Sequence, residues 1–193
     1  MSVISSKYMA LGTKAFGFCL PDIHNELVSL SDFKTFKALL IVFMCNHCPY
    51  VKHIIKPLRD MIAEYQERGL TAVAVNANDV STYPDDSPAN MRKWALELDF
   101  TFPYLYDESQ ETAKIYGAAC TPDFFLFDKE QKLAYQGQFD SSRPGNSIPV
   151  TGRDLRRALD AVLEGHRVSG EQRPSMGCSI KWKPGNEPDY YLL

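Results

Sequence analysis

The chain lacks the excesses that mark a specialised composition. Neither sign of charge dominates: 21 Lys plus Arg stand against 24 Asp plus Glu, a formal net charge of -3, which argues against nucleic acid or an anionic membrane as partner. Long apolar runs are missing, and the longest, Ala38 to Cys45, falls far short of the roughly 20 residues a membrane span needs. Met1 to Gly12 contains no Arg and only Lys7, so neither a signal nor a transit peptide is expected. Glycine and proline, 11 and 12 of 193 residues, are too few for collagen-like or low-complexity sequence, and no internal repeat appears. Cysteine is sparse and odd in number, at positions 19, 45, 48, 120 and 178, which speaks against a static disulfide framework.

What is present is a globular composition, 45% apolar and 12% aromatic. A chain of this size buries roughly 70% of its unfolded surface without disulfide or metal staples. One domain over residues 1–193 is expected, with an irregular but docked tail from about 173 to 193. With no export signal, the expected compartment is the reducing cytoplasm, where two close cysteines are more often catalytic or metal-binding than structural.

The unbroken run Ala38 to Met44 predicts a central strand covered on both faces. Val51, Ile54, Ile55, Leu58, Met61, Ile62 and Tyr65 then recur at helical spacing, with Pro49 in the first turn, Pro57 inside as an expected kink and Gly69 as the stop. Leu70 to Asn76 predicts a second buried strand, which completes a βαβ unit. A helix is predicted from Ser87-Pro88, with Met91, Trp94, Ala95 and Leu98 on its apolar face. A strand at Tyr104 to Tyr106 and a helix from about Ser109 to Tyr116 follow, then a hairpin of Asp123 to Phe127 and Leu133 to Gly137 and a last helix carrying Leu155, Ala158, Leu159 and Val162. Phe16 to Phe18 and Leu27 to Leu30 are weaker strand candidates.

Cys45-Asn46-His47-Cys48-Pro49 falls where the central strand turns into the helix. Helix-terminal N–H groups and the positive end of the dipole stabilise a thiolate there, and two intervening residues allow a disulfide with little backbone movement. His47 between the thiols favours the reduced form, making the disulfide a better oxidant. The competing readings are half of a zinc site, for which Cys45, His47, Cys48 and His53 make a poor tetrahedral set, and an inert pair. Cys120 reads as a buried small side chain or as an additional redox thiol, Cys178 as a packed cysteine or as a third redox thiol on a tail folded over the site, and Cys19 as structural. Asp79, Asp85 and Asp86 share one loop at the carboxyl edge of the sheet and read as a solvated loop with a helix-start preference for carboxylates.

Cys45-Asn-His-Cys48, followed by Thr121-Pro122 leading into Asp123-Phe-Phe-Leu-Phe127, resembles the thioredoxin superfamily over about Ala38 to Glu164. The resemblance implies an α/β thioredoxin-like fold, a central mixed β-sheet flanked by helices, here with an inserted strand-helix unit and an N-terminal extension. It also implies a cis Pro122 facing the cysteines, with Thr121, Pro122 and Asn46 meeting the substrate. Asn46 to Val51 is similar to the peroxiredoxin-like (alkyl hydroperoxide reductase/thiol-specific antioxidant, redoxin-type) group. Where peroxiredoxins carry their motif Pro and Thr this chain has Ile41 and Cys45, no Arg lies in Cys120 to Asp123, and no carboxylate lies in the strand before the pair as it does in thioredoxin. The implied activity is a thiol–disulfide oxidoreductase in which Cys45 attacks and Cys48 resolves. The alternatives are a thiol peroxidase with Cys48 peroxidatic, and a non-enzymatic zinc-binding or interaction domain. The implied partners are protein or small-molecule disulfides, hydroperoxides in the alternative, and a thiol donor such as thioredoxin or glutathione, with no organic cofactor and no resident metal.

Overall fold

The computed structural model describes residues 3–191. The strands and helices run β1 (Val3–Ser5), β2 (Cys19–Pro21), β3 (Leu27–Ser29), β4 (Ala38–Phe43), α1 (Pro49–Gln66), β5 (Leu70–Asn76) and α2 (Pro88–Glu97). They continue with β6 (Tyr104–Tyr106), α3 (Glu111–Ile115), β7 (Cys120–Thr121), β8 (Asp123–Asp128), β9 (Leu133–Gly137), α4 (Arg153–Leu163) and β10 (Met176–Ser179).

Five strands form the main sheet in the order β6-β5-β4-β8-β9, with β4, β5 and β6 parallel and β8 and β9 antiparallel to their neighbours. The apolar run of β4 is explained by its two covered faces. Leu40 and Val42 pack with Val51 and Leu58 of α1, Met91 of α2 and Leu155 and Leu159 of α4. Leu39, Ile41 and Phe43 face Ala113 of α3, Phe18 and Trp182 of the tail. Burying one such aliphatic or aromatic side chain contributes about 1.5–3 kcal/mol, so these two stripes hold β4, and the turn at its end, in a fixed place. α1 continues through Pro57 to Gln66. Among the described residues no helix is long and apolar enough to cross a membrane.

The structure departs from the sequence expectations at several points. Phe16 to Phe18 is not a strand: Phe16 packs edge-on against Tyr116 at 5.5 Å, its carbonyl accepts from the Tyr116 hydroxyl, and pairing begins only at Cys19. Leu30 leaves β3 to start a short 3-10 turn, where the Asp32 carboxylate accepts from Ser29 N at 2.7 Å. α3 starts at Glu111 because Gln110 is left-handed (φ 66°), its amide nitrogen donating to Ala77 O and Lys181 O. The tail is not wholly irregular, since β10 lies between β1 and β7 in a three-stranded antiparallel sheet. Residues 192 and 193 of that tail lie outside the described residues.

Candidate active site

β4 ends at Phe43, and Met44 N donates to Val75 O at 2.9 Å, so the chain enters the Cys45 to Cys48 turn anchored to β5. The turn is gripped by the loop between β5 and α2. Asp86, fully buried, accepts from Asn46 N at 2.8 Å and His47 N at 3.1 Å with one oxygen, and meets His47 Nδ1 at 2.5 Å and Asn78 Nδ2 at 2.8 Å with the other. A carboxylate only accepts, so Nδ1 carries the proton of His47. The Asn46 side chain is taken up inside the protein, donating to Asp85 O at 3.0 Å and accepting from the Tyr104 hydroxyl at 3.0 Å. His47 stacks on Tyr83 at 5.1 Å, and Lys181 Nζ lies 5.6 Å from the centre of the Tyr83 ring.

Cys45 and Cys48 are both buried thiols. Cys45 Sγ lies 3.8 Å from His47 Nδ1 and 3.5 Å from Thr121 Oγ1. Cys48 is the N-cap of the 18-residue helix α1, with Pro49 in the first turn where no N–H is needed. As a neutral thiol it donates to Thr121 O at 3.1 Å. Hydrogen bonds from Cys178 and then Cys45, helped by Thr121 and by the Val51 N–H, outweigh burial and hold the Cys48 thiol far below the usual range. Burial first, then the hydrogen bond with Cys48 and the Asp86 charge, push Cys45 well up. The two shifts run in opposite directions, so negative charge on the pair is favoured at Cys48 over Cys45. The helix N-terminus and the converging donors act on Cys48, whereas the sequence expectation has Cys45 as the attacking thiol.

Thr121–Pro122 is cis, and Thr121 contacts both cysteines through its hydroxyl and its carbonyl. Pairing of β10 with β7 sets Cys178 opposite Thr121 and Ser179 opposite Cys120. Cys178 shares the core with Cys45 and Cys48 and hydrogen-bonds to Cys48, an interaction that together with burial pushes its own thiol up. Cys120 is buried too, but successive strand side chains alternate, and its sulfur points to Pro122 O at 3.6 Å. Cys19 is exposed on β2, paired with Ser29 away from the turn.

Two acidic groups carry more than sequence reasoning gave them. Asp86 belongs to the loop triad read as solvated; Asp85 is exposed, but Asp86 is the buried clamp of the turn, and the buried Asp79 accepts from the hydroxyls of Ser81 and Thr82. Asp123 supplies a buried carboxylate that β4 itself lacks: it sits opposite Phe43 in the β4–β8 register, and burial pushes its carboxyl up to about 7 against Ala119 N and the hydroxyls of Ser175 and Ser6. The only sequence signal was its position beside Pro122. Among the described residues, Cys45, His47 and Asp86 are the one group of metal-type ligands, within 4.8 Å of one another. Every Asp86 oxygen in that group already accepts two hydrogen bonds or contacts. Arg143, which borders Pro122, has its guanidinium on Asp140 O, Ser142 O and Gln138 Oε1 rather than on a cysteine.

Comparison with known proteins gives four results. The model of the AhpC/TSA family matches residues 11–136. An uncharacterised conserved protein of Geobacillus kaustophilus is 52% identical, with a TM-score of 0.93 over 96% of this chain and 98% of that one. The thiol-disulfide oxidoreductase ResA of Bacillus thuringiensis is 26% identical over 125 residues, 65% of this chain and 68% of that protein. The thioredoxin domain of a thiol-disulfide oxidoreductase of Bacteroides vulgatus has a TM-score of 0.58 at 19% identity over 79% of this chain and 99% of that one, a likeness of fold.

Proposed function

The chain belongs to the AhpC/TSA family, with a thioredoxin-like fold, and we propose that it is a thiol–disulfide oxidoreductase whose couple is Cys45–Cys48. The observation that carries this reading is the pair of hydrogen-bonded thiols at the N-terminus of α1, one held as a thiolate and both touched by Thr121. A substrate disulfide and the reduced pair exchange in two steps. The charged sulfur attacks one substrate sulfur and expels the other as a thiolate; the second cysteine then attacks the mixed disulfide, releases the remaining substrate thiol and closes Cys45–Cys48. The charge on Cys48 makes it the attacking sulfur and Cys45 the resolving one. The Thr121 hydroxyl, 3.5 Å from Cys45 Sγ, is placed to donate to Cys45 as it becomes a leaving group in the reverse direction.

Substrates are protein or small-molecule disulfides, the donor is a cellular thiol, and the compartment is the cytoplasm; fractionation checks the last. The Cys48 charge also favours a second reading, peroxide reduction, in which Cys48 becomes a sulfenic acid that a neighbouring thiol resolves. Mapping cysteines after glutathione disulfide or stoichiometric hydrogen peroxide separates the two. The exchange reading expects Cys48 in an intramolecular disulfide after glutathione disulfide in wild type, lost in Cys48→Ser, and slow reaction with peroxide. Inert cysteines toward glutathione disulfide together with rapid sulfenic acid at Cys48 overturn it in favour of the peroxidase.

A further inference from the structure

Cys178 lies 130 residues beyond Cys48 in sequence, yet the fold brings the two side chains into hydrogen-bonding contact. The tail is built closely around this approach. A Cβ on Gly177 would come 2.0 Å from Thr121 O, so the neighbour of Cys178 has to be glycine for β10 to lie this near β7. Before the strand, Ser175 donates to Gly137 O at 2.8 Å and to the Ser6 hydroxyl at 3.0 Å. After it, Ile180 N donates to Ala119 O at 3.0 Å and Lys181 N to Asn78 Oδ1 at 2.8 Å.

We propose that Cys178 is a third member of the redox centre, which takes over the disulfide from Cys45–Cys48 by attack on the Cys48 sulfur. The step rests on the exchange reading of the pair. A bond forms between the sulfurs of Cys178 and Cys48 while the Cys45–Cys48 bond breaks, and the proton of Cys178 ends on the departing Cys45 sulfur. One disulfide and one thiol stand on each side, so nothing is oxidised or reduced overall. Cys48 is the sulfur that both other thiols already contact, and Cys178 reaches it in the existing strand register. The Cys48 anion is what chiefly keeps the proton on Cys178; a disulfide at Cys48 removes that anion, while Lys181, which acts in the opposite sense, remains. The product stores the oxidising equivalent on the tail strand and returns Cys45 as a thiol beside His47. The Cys120 sulfur is directed at Pro122 O instead.

The test uses the full chain carrying Cys45→Ser, treated with glutathione disulfide, quenched in acid, alkylated and mapped by mass spectrometry. The expected result is an intramolecular Cys48–Cys178 crosslink with release of both glutathiones, and its absence in Cys45→Ser/Cys178→Ser, which holds one glutathione on Cys48. A lasting glutathione adduct on Cys48 with Cys178 fully alkylated, or a crosslink to Cys120, overturns the proposal. Wild type in parallel separates this from failure of the parent reading: a Cys45–Cys48 crosslink there with a lasting adduct in Cys45→Ser removes Cys178 alone, whereas no reaction in wild type removes both.

Discussion

Replacing Cys178 by Ala deletes the first of the donors that stabilise charge on Cys48. A hydrogen bond to a charged group is worth about 1.5–3 kcal/mol, and one pKa unit corresponds to 1.36 kcal/mol, so loss of this donor raises the Cys48 transition by about 1–2 units. Cys45, Thr121 and the Val51 N–H remain as donors, which keeps Cys48 below an ordinary thiol even in the variant. Cys178→Ser keeps a hydroxyl donor and returns most of the shift. The assay is the initial rate of Cys48 alkylation by iodoacetamide across pH, resolved by peptide mass spectrometry, with far-UV circular dichroism confirming the fold. Below the new transition the variant reacts more slowly than wild type, because a smaller fraction of Cys48 is thiolate. An unchanged transition in Cys178→Ala, or an equal shift in Cys178→Ala and Cys178→Ser, refutes the role of the tail thiol in holding the charge.

Asp86→Asn replaces an acceptor of four groups with an amide that turns an NH2 toward some of them. Since unsatisfied buried groups cost about 1–3 kcal/mol each, the reduced protein is expected to melt several degrees lower and to exchange disulfides more slowly, read by thermal unfolding and by glutathione disulfide consumption. Asp123 has a folded value of about 7 against 3.8 for the ordinary side chain. The folded state therefore keeps a proton that the unfolded state has lost between about pH 4 and pH 7, and stability falls as pH rises through that window. The difference of about 3 units corresponds to about 4 kcal/mol as an upper figure. Asp123→Asn is expected to flatten this loss and to be more stable than wild type at pH 8; denaturant midpoints at pH 5 and pH 8 that change equally in both proteins contradict the assignment.

The main sheet was legible because β4 and β5 are buried on both faces and so carry unbroken apolar runs, while α1 carries one stripe at helical spacing. The Cys45–Cys48 turn was legible for the same reason, since the end of a buried strand and the start of an amphipathic helix fix where a two-residue interval must sit. β1, β7 and β10 were not legible: they are two to four residues long, and Gly177 and Cys178 earn their places from a partner strand 57 residues earlier in the chain, which no local pattern encodes. The polar half of the site followed the same rule. Asp79, Asp85 and Asp86 look alike as a sequence, and only the tertiary approach of the β5–α2 loop to the cysteine turn decides that Asp85 meets solvent while Asp86 is buried beneath His47.

That division explains why the charge fell on the other cysteine. A strand-turn-helix pattern says that a thiolate is stabilised near the helix N-terminus, and both thiols satisfy it. What separates them is long-range: Asp86 places a negative charge where it disfavours ionised Cys45, and β10 delivers the Cys178 thiol to Cys48. The same two elements can be removed independently. If Asp86 and Cys178 act through separate contacts on separate sulfurs, with the coupling confined to the Cys45–Cys48 hydrogen bond, their effects on the Cys48 transition add to within about 0.3–0.5 kcal/mol in the Asp86→Asn/Cys178→Ala double variant. A coupling larger than that, measured by the same alkylation profile, means the loop and the tail grip the turn as one unit rather than setting the two thiols one by one.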